Sequence, residues 1–293
     1  IYHSDNLPVL ESLKNETIDL VYIDPPFNTG KSQRRTQVRV KQSENGDRIG
    51  FQGQRYETVN LGTQEYSDNL GDDFLAFMEP RLSEAHRILK SHGTLYFHID
   101  YREVHYCKLL LDSIFGKECF VNEIIWAYDY GGKSKTRWPA KHDNILVYVK
   151  DPDRYYFNGF GVDRLLGDER DEPWRVSSSD VWWHTIVPTN GKEKTGYPTQ
   201  KPRGIVEPII LASSKRGDVV LDFFAGSGTT GDCCLTLARK FILIDDNKQA
   251  IDVMRKRFHN ERSIKWNKVT PHMYENSSSN LWAHQSARKM ASS

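Results

Sequence analysis

Val219-Val-Leu-Asp-Phe-Phe-Ala-Gly-Ser-Gly-Thr-Thr230 opens as a short apolar run, breaks at two glycines, and continues at helical spacing to about Arg239. A second apolar run, Phe241-Ile-Leu-Ile244, ends at Asp245, and a helix is predicted from about Gln249 to Phe258. The pattern is a strand, a glycine-rich turn, a helix and a strand. Gly226 and Gly228 let the backbone turn tightly and approach a ligand, and the helix after them offers free N–H groups. Asp245 sits where α/β folds hold ribose hydroxyls, at the end of the following strand. The glycine spacing of a dinucleotide site is incomplete, which counts against NAD. A tight turn without a ligand has the same local signature, so the turn alone does not decide function.

A matching apolar run lies near the other end of the chain. Asp19-Leu-Val-Tyr-Ile23 leads into Asp24-Pro-Pro-Phe-Asn-Thr-Gly30. Two prolines cannot continue a central strand, so the strand stops at Asp24 and a shaped loop follows. Such a loop, at the carboxyl end of a parallel strand, faces the crevice where these sheets bind ligands. Its residues suit one difficult reaction, transfer to an aromatic amine whose lone pair is delocalised into the ring. A carboxylate from Asp24 and the carbonyl of Pro25 can accept both N–H hydrogens and draw that lone pair out of conjugation. Pro25 and Pro26 stiffen the acceptors in place. Phe27 offers a flat face for an extruded base. The plainer alternative is a proline turn capping a strand, with Phe27 in the core.

Around these two runs the chain alternates. Phe74, Leu75, Phe77, Met78, Leu82, Ala85, Ile88 and Leu89 recur at helical spacing. Thr94–Ile99 reads as a strand, Val104–Phe115 as a helix, and Glu123–Ala127 and Asn144–Val149 as strands. Alternation of this kind predicts a mainly parallel sheet covered on both faces. Residues 31–66 are polar and lack a convincing period, 151–196 resist assignment, and a Ser-rich tail begins at Asn276. A formal net charge of +1, with 38% hydrophobic and 27% charged residues, fits a globular protein without a global basic field. Any nucleic-acid surface must therefore come from local clusters. The four cysteines, at 107, 119, 233 and 234, lack the spacing of a zinc site, and no metal is expected. Reduced thiols and the lack of a membrane-length apolar run lead us to expect a cytoplasmic protein away from membranes.

Together, Asp24-Pro-Pro-Phe27 and Phe224-Ala-Gly-Ser-Gly228 resemble the β group of DNA amino-methyltransferases, including the modification subunits of type III restriction systems. Asp5-Asn6 resembles the motif that borders the cofactor adenine in that group. Tyr197-Pro-Thr-Gln-Lys-Pro202 looks like the segment covering the methionine part of the cofactor, with Thr199 and Lys201 as its polar contacts. The resemblance covers about 1–30, 73–150 and 197–258. It implies a circularly permuted, seven-stranded, mainly parallel sheet of the Rossmann-like S-adenosylmethionine-dependent type, with an inserted target-recognition region. It implies S-adenosyl-L-methionine as cofactor, held by Asp5, Asp24, Thr199, Lys201, Asp222, Phe224, Ala225, Gly226, Ser227, Gly228, Thr229, Asp245 and Asn247. The catalytic residues it implies are Asp24, Pro25, Pro26 and Phe27. The chain departs from the group's pattern at Phe223, commonly Pro, and at Asp246, commonly apolar, which leaves the ribose contact open.

On this reading residues 1–126 form the catalytic half, 127–196 the target-recognition insert with the last sheet strand, 197–275 the cofactor half, and 276–293 a tail. From Lys31 to Arg55, seven Lys or Arg face only Glu44 and Asp47. Lys31, Arg34, Arg35 and Arg39 are the DNA contacts expected there. Lys133, Lys135, Arg137 and Lys141 form a second cluster interleaved with Tyr128, Tyr130 and Trp138. Trp126 or Tyr128 is a candidate for the far face of a flipped base, whereas His98 and Asp100 read as structural. The expected activity is methylation of adenine N6 in double-stranded DNA, because the resembling cytosine-N4 enzymes more often have Ser in place of Asp24. Cytosine N4, an RNA or protein-glutamine substrate, and a non-catalytic binding module are the alternatives. Further partners compatible with the resemblance are a second copy of the chain and a cognate restriction subunit.

Overall fold

The computed structural model describes residues 1–27, 33–42, 48–49, 55–66, 73–128, 133–159, 179–188 and 191–268. In chain order the elements are β1 (Tyr2–His3), α1 (Asn6–Ser12), β2 (Ile18–Ile23), β3 (Gln33–Gln42), β4 (Arg48–Ile49), β5 (Arg55–Tyr66), α2 (Phe74–Ile88) and β6 (Leu89–Ile99). Then come α3 (Val104–Phe115), β7 (Phe120–Ala127), β8 (His142–Val149), β9 (Val181–Trp183), α4 (Arg203–Ser213) and β10 (Val219–Asp222). The chain closes with α5 (Thr229–Thr236), β11 (Lys240–Asp245), α6 (Lys248–Arg257) and β12 (Asn267–Lys268).

All six residues of β2 are buried, and their alternation sets the layers. Val21 and Ile23 join the core cluster built on α1, α2 and α3, while Leu20 and Tyr22 join the one built on α4 and α5. A strand covered on both faces has no polar side to show, which is why Leu20–Ile23 read as a continuous apolar run. Among the described residues the sheet order is β12-β1-β11-β10-β2-β6-β8-β7-β9. Seven of these strands, β1 through β7 in that spatial order, are the expected sheet; β12 and β9 add short edges. Only β8 runs antiparallel to its neighbours, β6 and β7. The permuted order is visible at the centre, where β10 from the C-terminal third lies beside β2, with Val220 opposite Leu20. The carboxyl ends of β2 and β10 therefore open side by side, which brings the proline loop to the glycine turn.

Two segments fold beyond what their patterning announces. Residues 31–66, expected to lack regular structure, contain the antiparallel pair β3–β5 with the short β4 alongside. From 151–196 comes β9, which pairs in parallel with β7. The Ser-rich tail lies outside the described residues. Among the described residues no helix is long and apolar enough to cross a membrane, and no group of three or more His, Cys, Asp or Glu could hold a metal ion.

Candidate active site

The glycine turn is held by two buried carboxylates. Asp222, at the end of β10, accepts from the Thr230 hydroxyl at 2.6 Å and from the Phe224 N–H at 3.1 Å. Asp245, at the end of β11, accepts from the Gly226 N–H at 2.7 Å and the Asn247 N–H at 2.9 Å. Burial pushes both carboxyls up to about 7, and in each case neighbouring acids add to the effect. The two glycines do different jobs. Gly226 has φ +48° and faces the Tyr197 ring, which a Cβ would meet at 3.2 Å. Gly228, at φ +74°, is the left-handed residue that starts α5, and a Cβ there would strike Met254 of α6 at 2.7 Å.

Beside the turn, α1 begins at Asp5, whose carboxylate caps Leu7 N–H at 2.9 Å and pairs with Arg81 at 3.0 Å. The buried Asn6 amide donates to the Phe223 carbonyl at 2.7 Å, tying the N-terminal segment to the glycine strand. Across from them, Lys201 pairs with Asp24 through Oδ2, and its Nζ lies 4.7 Å from the centre of the Phe27 ring. Asp24 Oδ1 is buried and has no hydrogen-bond partner among the described residues.

These groups line one cavity of about 790 Å³, within the range of roughly 300–1,000 Å³ usual for ligand sites. Its wall includes Asp5, Asp24, Pro25, Pro26, Phe27, Thr199, Lys201, Asp222, Phe224, Ala225, Gly226, Ser227, Thr229, Asp245 and Asn247. Gly228 is not in that wall; it supports the turn by packing on α6. Asp246, the departure noted in the sequence, does line it. Tyr128 lines the cavity, whereas Trp126 is buried behind it and donates to the His184 carbonyl at 2.7 Å. Asp100, read as structural, also reaches the wall. Sequence reasoning missed Phe77 and Asp143, both in the wall, and Arg81, which orients Asp5. Phe77 and Arg81 sit four apart on α2, so helical spacing alone assigns them to core and surface rather than to a site. Asp143 precedes an apolar run without any flanking motif.

Of the expected DNA contacts, Lys133, Lys135, Arg137 and Lys141 are not in the wall of this cavity. Lys133, Lys135 and Arg137 are exposed on the connection between β7 and β8, beside Trp138, which is 95% exposed. Lys141 is half-buried at its end. Arg34, Arg35 and Arg39 fall on β3, whose side chains lie outside the described residues, as does Lys31 altogether.

The cavity fits S-adenosylmethionine on its own evidence: a backbone cradle at Gly226, a paired acid at Asp245 for hydroxyls, and a separate unpartnered acceptor at Asp24. Comparison with known proteins agrees. The chain is 32% identical to the type II methyltransferase M.HpaI of Haemophilus parainfluenzae over 88% of this chain and 73% of that protein. It is 31% identical to the DNA adenine methyltransferase YhdJ of Escherichia coli K12, over 86% and 79% of the two chains. The fold is shared with the crystal structure of the M1.HpyAVI–SAM complex at 22% identity and a TM-score of 0.55, covering 88% of this chain and 97% of that one. Residues 18–256, from β2 through most of α6, match the N6/N4 family described as DNA methylase. The two motifs that meet in the cavity are thus those of a cofactor-dependent methyltransferase acting on DNA, and the chain belongs to the N6/N4 DNA methylase family.

Proposed function

We infer that this protein transfers the methyl group of S-adenosylmethionine to N6 of adenine in double-stranded DNA, with the target base turned out of the helix. The observation that carries this is Asp24, in the wall of the cavity that also contains the glycine turn, whose Oδ1 is buried and has no hydrogen-bond partner among the described residues. A buried acceptor left unpaired is costly, and an amine N–H is the partner that relieves it. Bound at Gly226 and Asp245, with Asp5, Thr199 and Asn247 around it, the cofactor supplies a methyl group on positively charged sulfur.

The residues of the chain do the rest. Asp24 and the Pro25 carbonyl accept the two amine hydrogens and free the nitrogen lone pair. These bonds strengthen as the nitrogen becomes tetrahedral, so they act mainly on the transition state. Phe27 stacks on the base, and Tyr128 closes the wall opposite the cofactor end. A duplex hides its amines within the stack, so the base must leave the helix to reach Asp24.

DNA is held, in this reading, by Lys31, Arg34, Arg35 and Arg39 on one side and by Lys133, Lys135, Arg137 and Lys141 on the other. Residues 1–126 carry catalysis, 127–196 read the target, and 197–275 bind the cofactor. The name type II methyltransferase, carried by M.HpaI, fits a modification enzyme working beside a cognate nuclease. Modified-base sequencing of DNA treated with the protein gives the site, and mass spectrometry of its nucleosides gives the base. The expected product is N6-methyladenine. N4-methylcytosine as sole product overturns the base assignment, and methylated RNA without methylated DNA overturns the substrate.

A further inference from the structure

Behind Asp24 runs a chain of hydrogen bonds that the reaction described above does not use. His98, fully buried near the end of β6, places Nε2 3.2 Å from Asp143 Oδ2. The other oxygen of Asp143 accepts from the Tyr128 hydroxyl at 2.9 Å. On its opposite edge, His98 Nδ1 lies 3.0 Å from the Tyr22 hydroxyl and 3.9 Å from Asp24 Oδ1. Phe27 and Trp126 flank the imidazole, with ring centres 5.7 and 5.6 Å away.

For a neutral imidazole the partners decide which nitrogen carries the proton. Burial would raise the Asp143 carboxyl, yet the hydrogen bond and the charge of His98, then the Lys201 charge and the Tyr128 hydroxyl, hold it below the ordinary carboxylate range. An ionised carboxylate only accepts, so His98 Nε2 must donate to it. Burial, with the charges of Asp24, Asp222 and Asp143 nearby, keeps the Tyr22 phenol protonated. In a neutral imidazole that one proton leaves Nδ1 bare, and Nδ1 then accepts from the Tyr22 hydroxyl. The imidazole edge nearest Asp24 Oδ1 has no hydrogen to offer it. In the opposite tautomer Nδ1–H would stand beside that oxygen, and a small rotation of the carboxylate would pair the two.

We propose that His98 is a positioning residue of this site, its tautomer locked by Asp143 and Tyr22 so that the inner oxygen of Asp24 stays free for the target amine. The proposal rests on the reading of Asp24 as amine acceptor. It also gives Asp143 and Tyr128, which stand at the two ends of the β7–β8 connection, a part in catalysis as well as in the wall of the base site.

Nitrogen NMR of the cofactor-free protein labelled in its histidine rings reads the tautomer directly, with His98→Gln identifying the signal among the ten histidines. The expected spectrum shows Nε2 protonated and Nδ1 bare. Asp143→Asn offers an amide N–H to Nε2, which inverts the tautomer. Single-turnover methyl transfer should then fall about tenfold, the usual worth of one oriented hydrogen bond, while cofactor affinity holds. Tyr22→Phe removes the donor that keeps Nδ1 bare, with little change of shape, so that Nδ1 can take up a proton beside Asp24; it serves where Asp143→Asn does not fold, and a protonated Nδ1 there with parental turnover also overturns the proposal. A proton on Nδ1 in the parent, or an inverted tautomer with parental turnover, overturns the proposal. Asp24→Ala is measured alongside. Parental turnover there removes the amine-acceptor reading itself, whereas its loss together with unaffected tautomer variants removes only the role of His98.

Discussion

Asp24 pairs with Lys201 through one oxygen, while the other is buried and has no hydrogen-bond partner among the described residues. Removing the carboxylate leaves the cofactor cradle at Gly226 and Asp245 intact. Asp24→Ala is therefore expected to lower turnover by on the order of 100-fold or more while S-adenosylmethionine still binds, because the lost bonds belong to the transition state. Calorimetry paired with single-turnover kinetics checks this, and parental turnover in a folded variant ends the mechanism. Asp245 makes a second, pH-dependent case. Burial pushes its carboxyl up to about 7, and a ribose hydroxyl needs the ionised form as acceptor. Cofactor affinity should rise as pH climbs through about 7 and level off above it. At pH 6 only about one carboxylate in ten is ionised, so binding should be about tenfold weaker than the plateau. Asp245→Asn should flatten that profile, which separates Asp245 from the equally buried Asp222; a parental slope in the variant assigns the dependence elsewhere. The sign for stability is the reverse. The folded protein keeps a proton that the unfolded chain releases near pH 4, so this group makes the cofactor-free fold less stable as pH rises from about 4 to about 7.

At the scale of elements, the motif-bearing strands were legible and the polar hairpin was not. β2 and β10 announce themselves because both faces are buried, and α2 because one face is. Thr36, Val38 and Val40 do alternate along β3, but Arg and Gln fill the positions between and beyond them, so no apolar face marks the register. α4 escaped for a different reason: Pro208 lies inside it and no side chain caps its N-terminus, so neither its start nor its continuity is signalled. Of the site, the two motifs and Asp245 were readable, while Phe77 and Asp143 depend on a tertiary arrangement that no local pattern encodes. The hairpin has a test of its own. If Arg34, Arg35 and Arg39 contact phosphates, neutralising all three should flatten the dependence of log affinity on log salt by about 0.9 per lost contact, with cofactor affinity unchanged. Binding isotherms over a salt series decide it; identical slopes make β3 ordinary solvated surface. The same experiment on Lys133, Lys135 and Arg137 tests the β7–β8 connection independently.

The whole molecule is interleaved rather than assembled from two finished halves. Going inward from one edge, β12, β1, β11, β10 and β2 draw on both ends of the chain, with β1 set between β12 and β11 and β2 against β10. Tyr2 pairs with both Ile244 and Asn267, and Val21 with Leu221. The site repeats this division, since Asp5 and Asp24 come from one half and Gly226 and Asp245 from the other. A fragment of residues 1–196 lacks α4 and α5, the cover for Leu20, Tyr22, Tyr96, Ile145 and Val147. Exposing a fully buried side chain of this size costs roughly 1.5–3 kcal/mol, so five of them rival the roughly 5–15 kcal/mol that holds a typical protein folded. Residues 197–293 alone lose β2 and expose the facing side of β10. Neither fragment is expected to unfold cooperatively or to bind S-adenosylmethionine by itself. Produced together, the two should pair through β2 and β10 and recover both cofactor binding and methyl transfer. Circular dichroism melts, size-exclusion profiles and calorimetry of each fragment and of the mixture test this. A lone C-terminal fragment with parental cofactor affinity would show that residues 197–275 form an independent binding unit, and that Asp5 and the proline loop add nothing to the cofactor site.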